Sequence, residues 1–342
     1  MFAASLALSV FATPLVRRLA LQLGIVDRPG GRKIHAIVTP YLGGVAIYAG
    51  FVVAVALVVG FDPQMLRQSA SILGGATVLL FFGLWDDHSG MDPRVKLLGQ
   101  LAAALLAVLA DIRLRLTGLP PIDLAISIVW IVGLSNAVNL LDNMDGLSSG
   151  LVAIASGYLF LIAATEGQFL VATMAVSLAG ACLGFLKYNF SPATIFMGDA
   201  GSLFLGYTLA VLAMKLRLPH ADHVNFVILL LVLALPILDT TLVTVHRTAN
   251  GRPIYVGGQD HCSHRLVALG MSRRRAVLTL YTLATGYGAL ATAVHVSKPE
   301  IGWLLTGVAG IGTLLVFVKL GNVAVYATSP SDLPPERSPD NT

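Results

Sequence analysis

The chain has 342 residues, 56% of them hydrophobic and 12% charged, against about 25% charged in an average soluble domain. With a mean hydropathy of +0.80, that composition excludes a water-soluble globular protein and makes apolar spans the unit of organisation. The net charge of +4 speaks for membrane topology and anionic ligands rather than a nucleic-acid partner, and two cysteines, Cys182 and Cys262, supply no disulfide framework.

Apolar runs predict an all-α, polytopic membrane protein with about 11 spans (10–11), at 2–16, 42–60, 70–85, 97–110, 122–138, 150–165, 169–186, 201–216, 224–243, 276–295 and 301–319. The shorter runs borrow flanking residues such as Arg17 and Arg18, whose stems reach the interface. The first run has neither a basic leader nor a small-residue cleavage site after it, and reads as an uncleaved span. Sixteen of the 22 Lys and Arg fall in alternate connections, chiefly 17–40 and 246–275, and in the tail. These connections are therefore cytoplasmic, the N-terminus is outside and the C-terminus inside. Residues 1–320 form one membrane unit. The tail 321–342, rich in Pro, Ser and charge, is expected to stay disordered.

This parity puts Asp86, Asp87, Asp142, Asp145, Asp199 and Asp260 at cytoplasmic helix ends. A channel or ion-coupled transporter would place carboxylates at mid-membrane depth on broken helices. Carboxylates at helix ends suggest an enzyme with a site open to the cytoplasm.

Five loops carry the chemistry. The first, Asp27 to Gly44, combines Arg28, Arg32, Lys33 and His35 with flexible glycines, which suits phosphate contact or a positive-inside anchor. The second pairs Asp86 with Asp87, with Lys96 ten residues after Asp86; adjacent carboxylates repel unless a cation or lysine intervenes. In the third, Asn139, Asp142 and Asp145 recur every three residues and point the same way on a helical turn. The fourth contains Phe196-Met197-Gly198-Asp199, where Asp199 is a hard metal ligand or a helix cap. The fifth, Asp260 to Leu266, lacks either usual zinc spacing and suits phosphate recognition by His261, His264 and Arg265.

Taken in order, these loops resemble the polyprenyl-phosphate N-acetylhexosamine-1-phosphate transferase family. The resemblance rests on D-x-P-x-x-R-K-x-H with P-x-x-G-G, D-D with a lysine ten residues on, N-x-x-N-L-x-D-x-x-D-G-L, F-M-G-D-x-G-S and the His/Arg loop. It implies a bacterial cytoplasmic-membrane enzyme, compatible with a homodimer, that moves a sugar-1-phosphate from a UDP-sugar to a polyprenyl phosphate. UMP is released, and Mg2+ is required, with Mn2+ as a substitute. It assigns Asp199 and Asn139 to the metal, and catalytic roles to Asp86, Asp87, Lys96, His261, His264 and Arg265. Substrate contacts fall to Lys33, His35, Asn139, Asp142, Asp145 and Phe196, the last stacking on uracil.

There are departures from the family pattern. Asp142-Asn143-Met144-Asp145-Gly146 replaces Asp-Gly-x-Asp-Gly, Pro40-Tyr41 replaces Pro-Arg, and no run of histidines occupies the last loop. The last departure favours UDP-GlcNAc over UDP-MurNAc-pentapeptide, the donor of the peptidoglycan branch. A lipid or sugar-lipid transporter is the competing class, for which Asp239 in the ninth run is the one suitable carboxylate; its alternative is an interior partner for Arg247 or a freed backbone donor.

Overall fold

A computed structural model describes residues 1–27, 39–60, 62–254 and 256–325. Lys33, His35 and residues 326–342 of the tail lie outside them.

Every apolar run is helical. In chain order the helices are α1 (Phe2–Leu23), α2 (Gly43–Val59), α3 (Pro63–Ser89), α4 (Pro93–Leu109), α5 (Pro120–Leu141), α6 (Leu147–Thr165), α7 (Phe169–Asn189) and α8 (Gly198–Lys215). They are followed by α9 (Asp222–Val232), α10 (Ala234–Ala249), α11 (Cys262–Ala268), α12 (Arg273–Val296) and α13 (Pro299–Gly321). Seven are long and apolar enough to cross a membrane, or up to eight if α9 and α10 make one span. The ninth run is not one straight helix: its two halves bend by 79° about Leu233, upstream of Pro236, which lacks the amide needed to continue the ladder. A two-residue antiparallel pair, Val26–Asp27 with Thr39–Pro40, closes the ends of the first loop.

Local chemistry sets the starts of α3 and α4. The Asp62 carboxylate accepts from the Gln64 and Met65 amides at 2.8 and 3.2 Å, and that of Asp92 from the Arg94 amide at 2.8 Å. Each aspartate precedes a proline at the first helical position, where the missing amide costs nothing.

The bundle is built around α8, which is buried from Ala200 to Met214 and packs against α2, α3, α5 and α6. Close approach depends on small residues, as in lipid, where packing rather than hydrophobicity draws helices together. A Cβ on Gly44 would stand 2.2 Å from the Gly201 nitrogen, and one on Gly83 2.4 Å from the Ala200 Cα. The outer surface is apolar: Leu109 is 83% exposed, Phe11 74% and Val129 70%, which water would penalise and acyl chains accept.

Candidate active site

Four helices deliver the central cluster. Lys96, at the start of α4, bonds Asp86 at the end of α3 at 3.0 Å, Asp199 in the first turn of α8, and the Asn139 Oδ1 at the end of α5 at 3.3 Å. The Asn139 Nδ2 in turn donates to the Asp199 Oδ1 and to the Ser202 Oγ, both at 2.8 Å. One ammonium thus offsets two carboxylates in a half-buried setting, where an unpaired pair would be costly.

Asp87 does something different from Asp86. Its two oxygens accept the Asp199 and Ala200 amides at 2.8 and 3.1 Å, so a side chain from α3 caps α8 and satisfies its orphan donors. The approach needs Gly198, which has a left-handed φ of 69° and would place a Cβ 2.3 Å from the Asp87 Oδ2.

Beside the cluster lies a cavity of about 150 Å3 lined by Asp27, Tyr41, Asp142, Asp145, Asn189 and Phe196, among others. Tyr41 and Phe196 face each other at 6.0 Å between centroids. Burial, then the charges of Asp199, Asp87 and Asp145, push the Asp142 carboxyl up to about 8. The Asp145 Oδ2 accepts the Ala193 amide at 3.0 Å. Through Asn143, Met144 and Asp145 this cavity adjoins a larger one of about 400 Å3 that reaches His264 and Arg273. Burial, then His261, pushes His264 down to about 4, so it is a neutral imidazole at neutral pH.

The fifth loop is a scaffold as much as a binding surface. His261 is held by Asp239 (Nδ1 to Oδ2, 2.7 Å), whose other oxygen accepts the Cys262 amide at 2.6 Å. Asp239 therefore partners this loop; Arg247 is clasped instead by the two oxygens of Asp260 at 2.6 and 2.7 Å. Arg265, expected to recognise phosphate, is buried and directed elsewhere. It donates to the Asp260 carbonyl at 2.8 Å and to the carbonyls of Leu320, Gly321 and Val323 at 2.9, 3.2 and 3.0 Å. The last four carbonyls of a helix lack partners, and a guanidinium answers α13's deficit. Its Nη2 makes no hydrogen bond among the described residues.

The structure thus gathers Asp86, Lys96, Asn139 and Asp199 directly, with Asp87 behind them and Asp142, Asp145, Phe196 and His264 along the adjoining cavities. His261 and Arg265 line neither cavity. Sequence reasoning missed Ser202, three residues after Asp199 and hence on the same helical face. It also missed Ser263, whose Oγ donates to the Asn143 Oδ1 at 2.7 Å and ties the third loop to the fifth. The buried Asn189 accepts the Gly146 amide and the Ser149 hydroxyl at 3.1 Å each.

Among the described residues no three His, Cys, Asp or Glu side chains come together as a ready metal cage. Asp86, Asp199 and the Asn139 Oδ1 converge on the Lys96 ammonium, and carboxylate and amide oxygens are ligand types that Mg2+ takes. That ion retains waters and is commonly held by one or two carboxylates together with substrate phosphates.

The glycosyl transferase family 4 model matches residues 69–217, the stretch from α3 to the end of α8. The chain is 34% identical over 328 residues to a probable undecaprenyl-phosphate N-acetylglucosaminyl 1-phosphate transferase of Bacillus subtilis, covering 93% of this chain and 89% of the relative. It is 33% identical to a decaprenyl-phosphate N-acetylglucosaminephosphotransferase of Mycobacterium tuberculosis, covering 92% and 88%. A phospho-N-acetylmuramoyl-pentapeptide-transferase of Bacillus cytotoxicus is 32% identical, covering 82% and 91%. With such identity along nearly the whole of its length, and with the five motifs in order in its sequence, the chain belongs to glycosyl transferase family 4.

Proposed function

We propose that the protein transfers N-acetylglucosamine 1-phosphate from UDP-GlcNAc to a polyprenyl phosphate, releasing UMP and leaving a polyprenyl-diphosphate sugar in the membrane. The observation that carries this reading is the convergence of Asp86, Lys96, Asn139 and Asp199 from four helices beside a cavity containing Tyr41 and Phe196. Relatives named for this reaction support it. In the reaction a lipid phosphate oxygen attacks the sugar-bearing phosphorus of the donor, the bond to the bridging oxygen breaks, and UMP departs. The acceptor is largely ionised at neutral pH, with a second pKa near 6, so positioning and charge neutralisation are the main requirements.

Asp199 and Asn139 would hold Mg2+, which supplies neutralisation of the donor diphosphate. Lys96, placed between the carboxylates, meets the transferring phosphate. Asp86 orients that ammonium, and Asp87 fixes the start of α8. Phe196 and Tyr41 flank the uracil, and Asp142 and Asp145 edge the nucleoside pocket. His264, neutral and facing the larger cavity, contacts the sugar end.

We further read the chain as a protein of the bacterial cytoplasmic membrane with about 11 spans (10–11) and with the 246–275 connection inside. Cys262 is fully buried and useless as a topology label, so an Asn250→Cys reporter serves instead. Labelling of that reporter by an impermeant thiol reagent added outside sealed cells would invert the orientation.

The UDP-GlcNAc branch is preferred because the fifth loop carries His261 and His264 apart. Purified protein with Mg2+, undecaprenyl phosphate and a panel of UDP-sugars tests the reading. UMP release should require both the lipid phosphate and UDP-GlcNAc. Efficient use of UDP-MurNAc-pentapeptide would move the protein to the peptidoglycan branch, and absence of lipid-dependent UMP release would end the transferase reading.

A further inference from the structure

The helices that carry the candidate cluster have their other ends around a second concentration of charge. α8 runs from Gly198 to Lys215, about 27 Å for its 18 residues, while α3 and α4 reach the same far end through Asp62 and Ala110. There Arg113, Arg115, Lys215 and Arg217 line one cavity of about 420 Å3. Lys215 and Arg217 also line a neighbouring cavity of about 550 Å3, with Asp62 and Gln168 in its wall. These four are most of the six cations that the sequence assigns to the side opposite the site, a side the positive-inside bias leaves poor in them.

Two carboxylates, Asp111 and Asp222, share the 420 Å3 cavity with these four cations. Asp111, in a left-handed backbone at φ 60°, holds the Arg113 Nε at 2.9 Å and the Arg115 Nη2 at 3.0 Å, fixing both guanidiniums on one loop. Asp62 caps α3. Gln168 spends both ends of its amide on the Arg217 backbone, accepting its N–H at 3.0 Å and donating to its carbonyl at 2.5 Å. The side-chain cations of Lys215 and Arg217 make no ion pair among the described residues, although Lys215 is half-buried. Four cations against two carboxylates in one cavity, with a half-buried ammonium among them, leave an excess of positive charge that an anion relieves.

The walls identify which anion. The 420 Å3 cavity is bounded by leucines and by Phe226. Beside it on the surface stand Leu109, 83% exposed, and Leu119, 55% exposed. A cluster of cations with leucines among its neighbours, next to apolar side chains of the lipid-facing surface, matches a phosphate tethered to acyl chains better than a free one. We propose that these paired cavities bind the phosphodiester headgroup of an anionic membrane lipid, held by Lys215 and Arg217 with Arg113 and Arg115 at the rim. The lipid braces α3, α4, α7 and α8 at the end remote from the reaction.

The test compares wild type with the Lys215→Gln, Arg217→Gln double variant in detergent micelles containing phosphatidylcholine, with or without phosphatidylglycerol. It reads thermal midpoint and lipid retained in native mass spectrometry. Phosphatidylglycerol should raise the wild-type midpoint by several degrees and be retained. The double variant should lose at least half of both effects while keeping its midpoint in phosphatidylcholine. Equal shifts in the two proteins would overturn the proposal. A parallel arm with millimolar glycerol 1-phosphate or inorganic phosphate should give no shift, and a shift matching that of the lipid would identify a soluble-phosphate site and overturn the lipid assignment. If the double variant does not purify, Arg113→Gln with Arg115→Gln, on the loop before α5, is read in the same way: a reduced lipid shift supports the site, an unchanged one refutes it.

Discussion

The Asp87 carboxylate receives the Asp199 amide at 2.8 Å, so one member of the acidic pair supports the backbone from which Asp199 projects. Its neighbour Asp86 turns to Lys96 at 3.0 Å. Two adjacent aspartates, identical on paper, therefore have different duties, and substitution should separate them.

Asp86→Asn is expected to lower kcat by about a thousandfold, roughly 4 kcal/mol of barrier, with little change in thermal midpoint. Asp87→Asn keeps one acceptor oxygen. It should lower the midpoint by an amount typical of a lost cap, about 1 kcal/mol, and cost less in kcat than Asp86→Asn. Equal kinetic losses with unchanged midpoints would show that both carboxylates act on the reacting groups.

Asp199→Asn should abolish turnover and, independently of activity, remove the rise in thermal midpoint that Mg2+ gives the wild type, since a ligand that binds only the folded state stabilises it. An undiminished Mg2+ shift in the variant would place the ion elsewhere.

Gly83→Ala should destabilise the bundle by about 3 kcal/mol, because the added Cβ meets the Ala200 backbone at 2.4 Å where neither helix can yield cheaply. Gly74→Ala, in the same helix with nothing within 4 Å, should stay within about 0.5 kcal/mol of wild type. Comparable unfolding midpoints for the two variants would contradict this account of α3 against α8.

Arg265→Lys should reduce stability more than donor affinity. A lysine cannot span the Asp260 carbonyl and the three carbonyls at the end of α13, and lost charged hydrogen bonds cost about 1.5–3 kcal/mol. A raised KM for UDP-GlcNAc at unchanged midpoint would restore Arg265 to the donor site.

His264 is depressed from 6.5 to about 4. The unfolded chain therefore binds a proton between about pH 6.5 and 4 that the folded chain refuses, and stability falls as pH drops through that window. Relative to His264→Gln, the wild-type midpoint should decline more steeply between pH 7 and pH 5. Parallel declines would mean that the imidazole is solvated.

The sequence by itself determined the class of solvent, the helical segments and the five loops. Each follows from composition or from residues close together in the chain: apolar runs must satisfy their backbone internally as helices, although α3 and α4 start at Pro63 and Pro93, ahead of the apolar runs at 70 and 97, because Asp62 and Asp92 cap them there. It also singled out Asp86, Lys96, Asn139 and Asp199. Their convergence was decided only by the tertiary structure, because Lys96 and Asp199 are 103 residues apart and meet through the packing of α4, α5 and α8. The same holds for Asp87 and Arg265. Charge and spacing mark both as ligand-binding groups, yet an orphan amide of α8 and orphan carbonyls of α13 reach them first. Which unpaired backbone group lies within reach of a charged side chain depends on how helices dock, and docking depends on where Gly44 and Gly83 let two backbones touch.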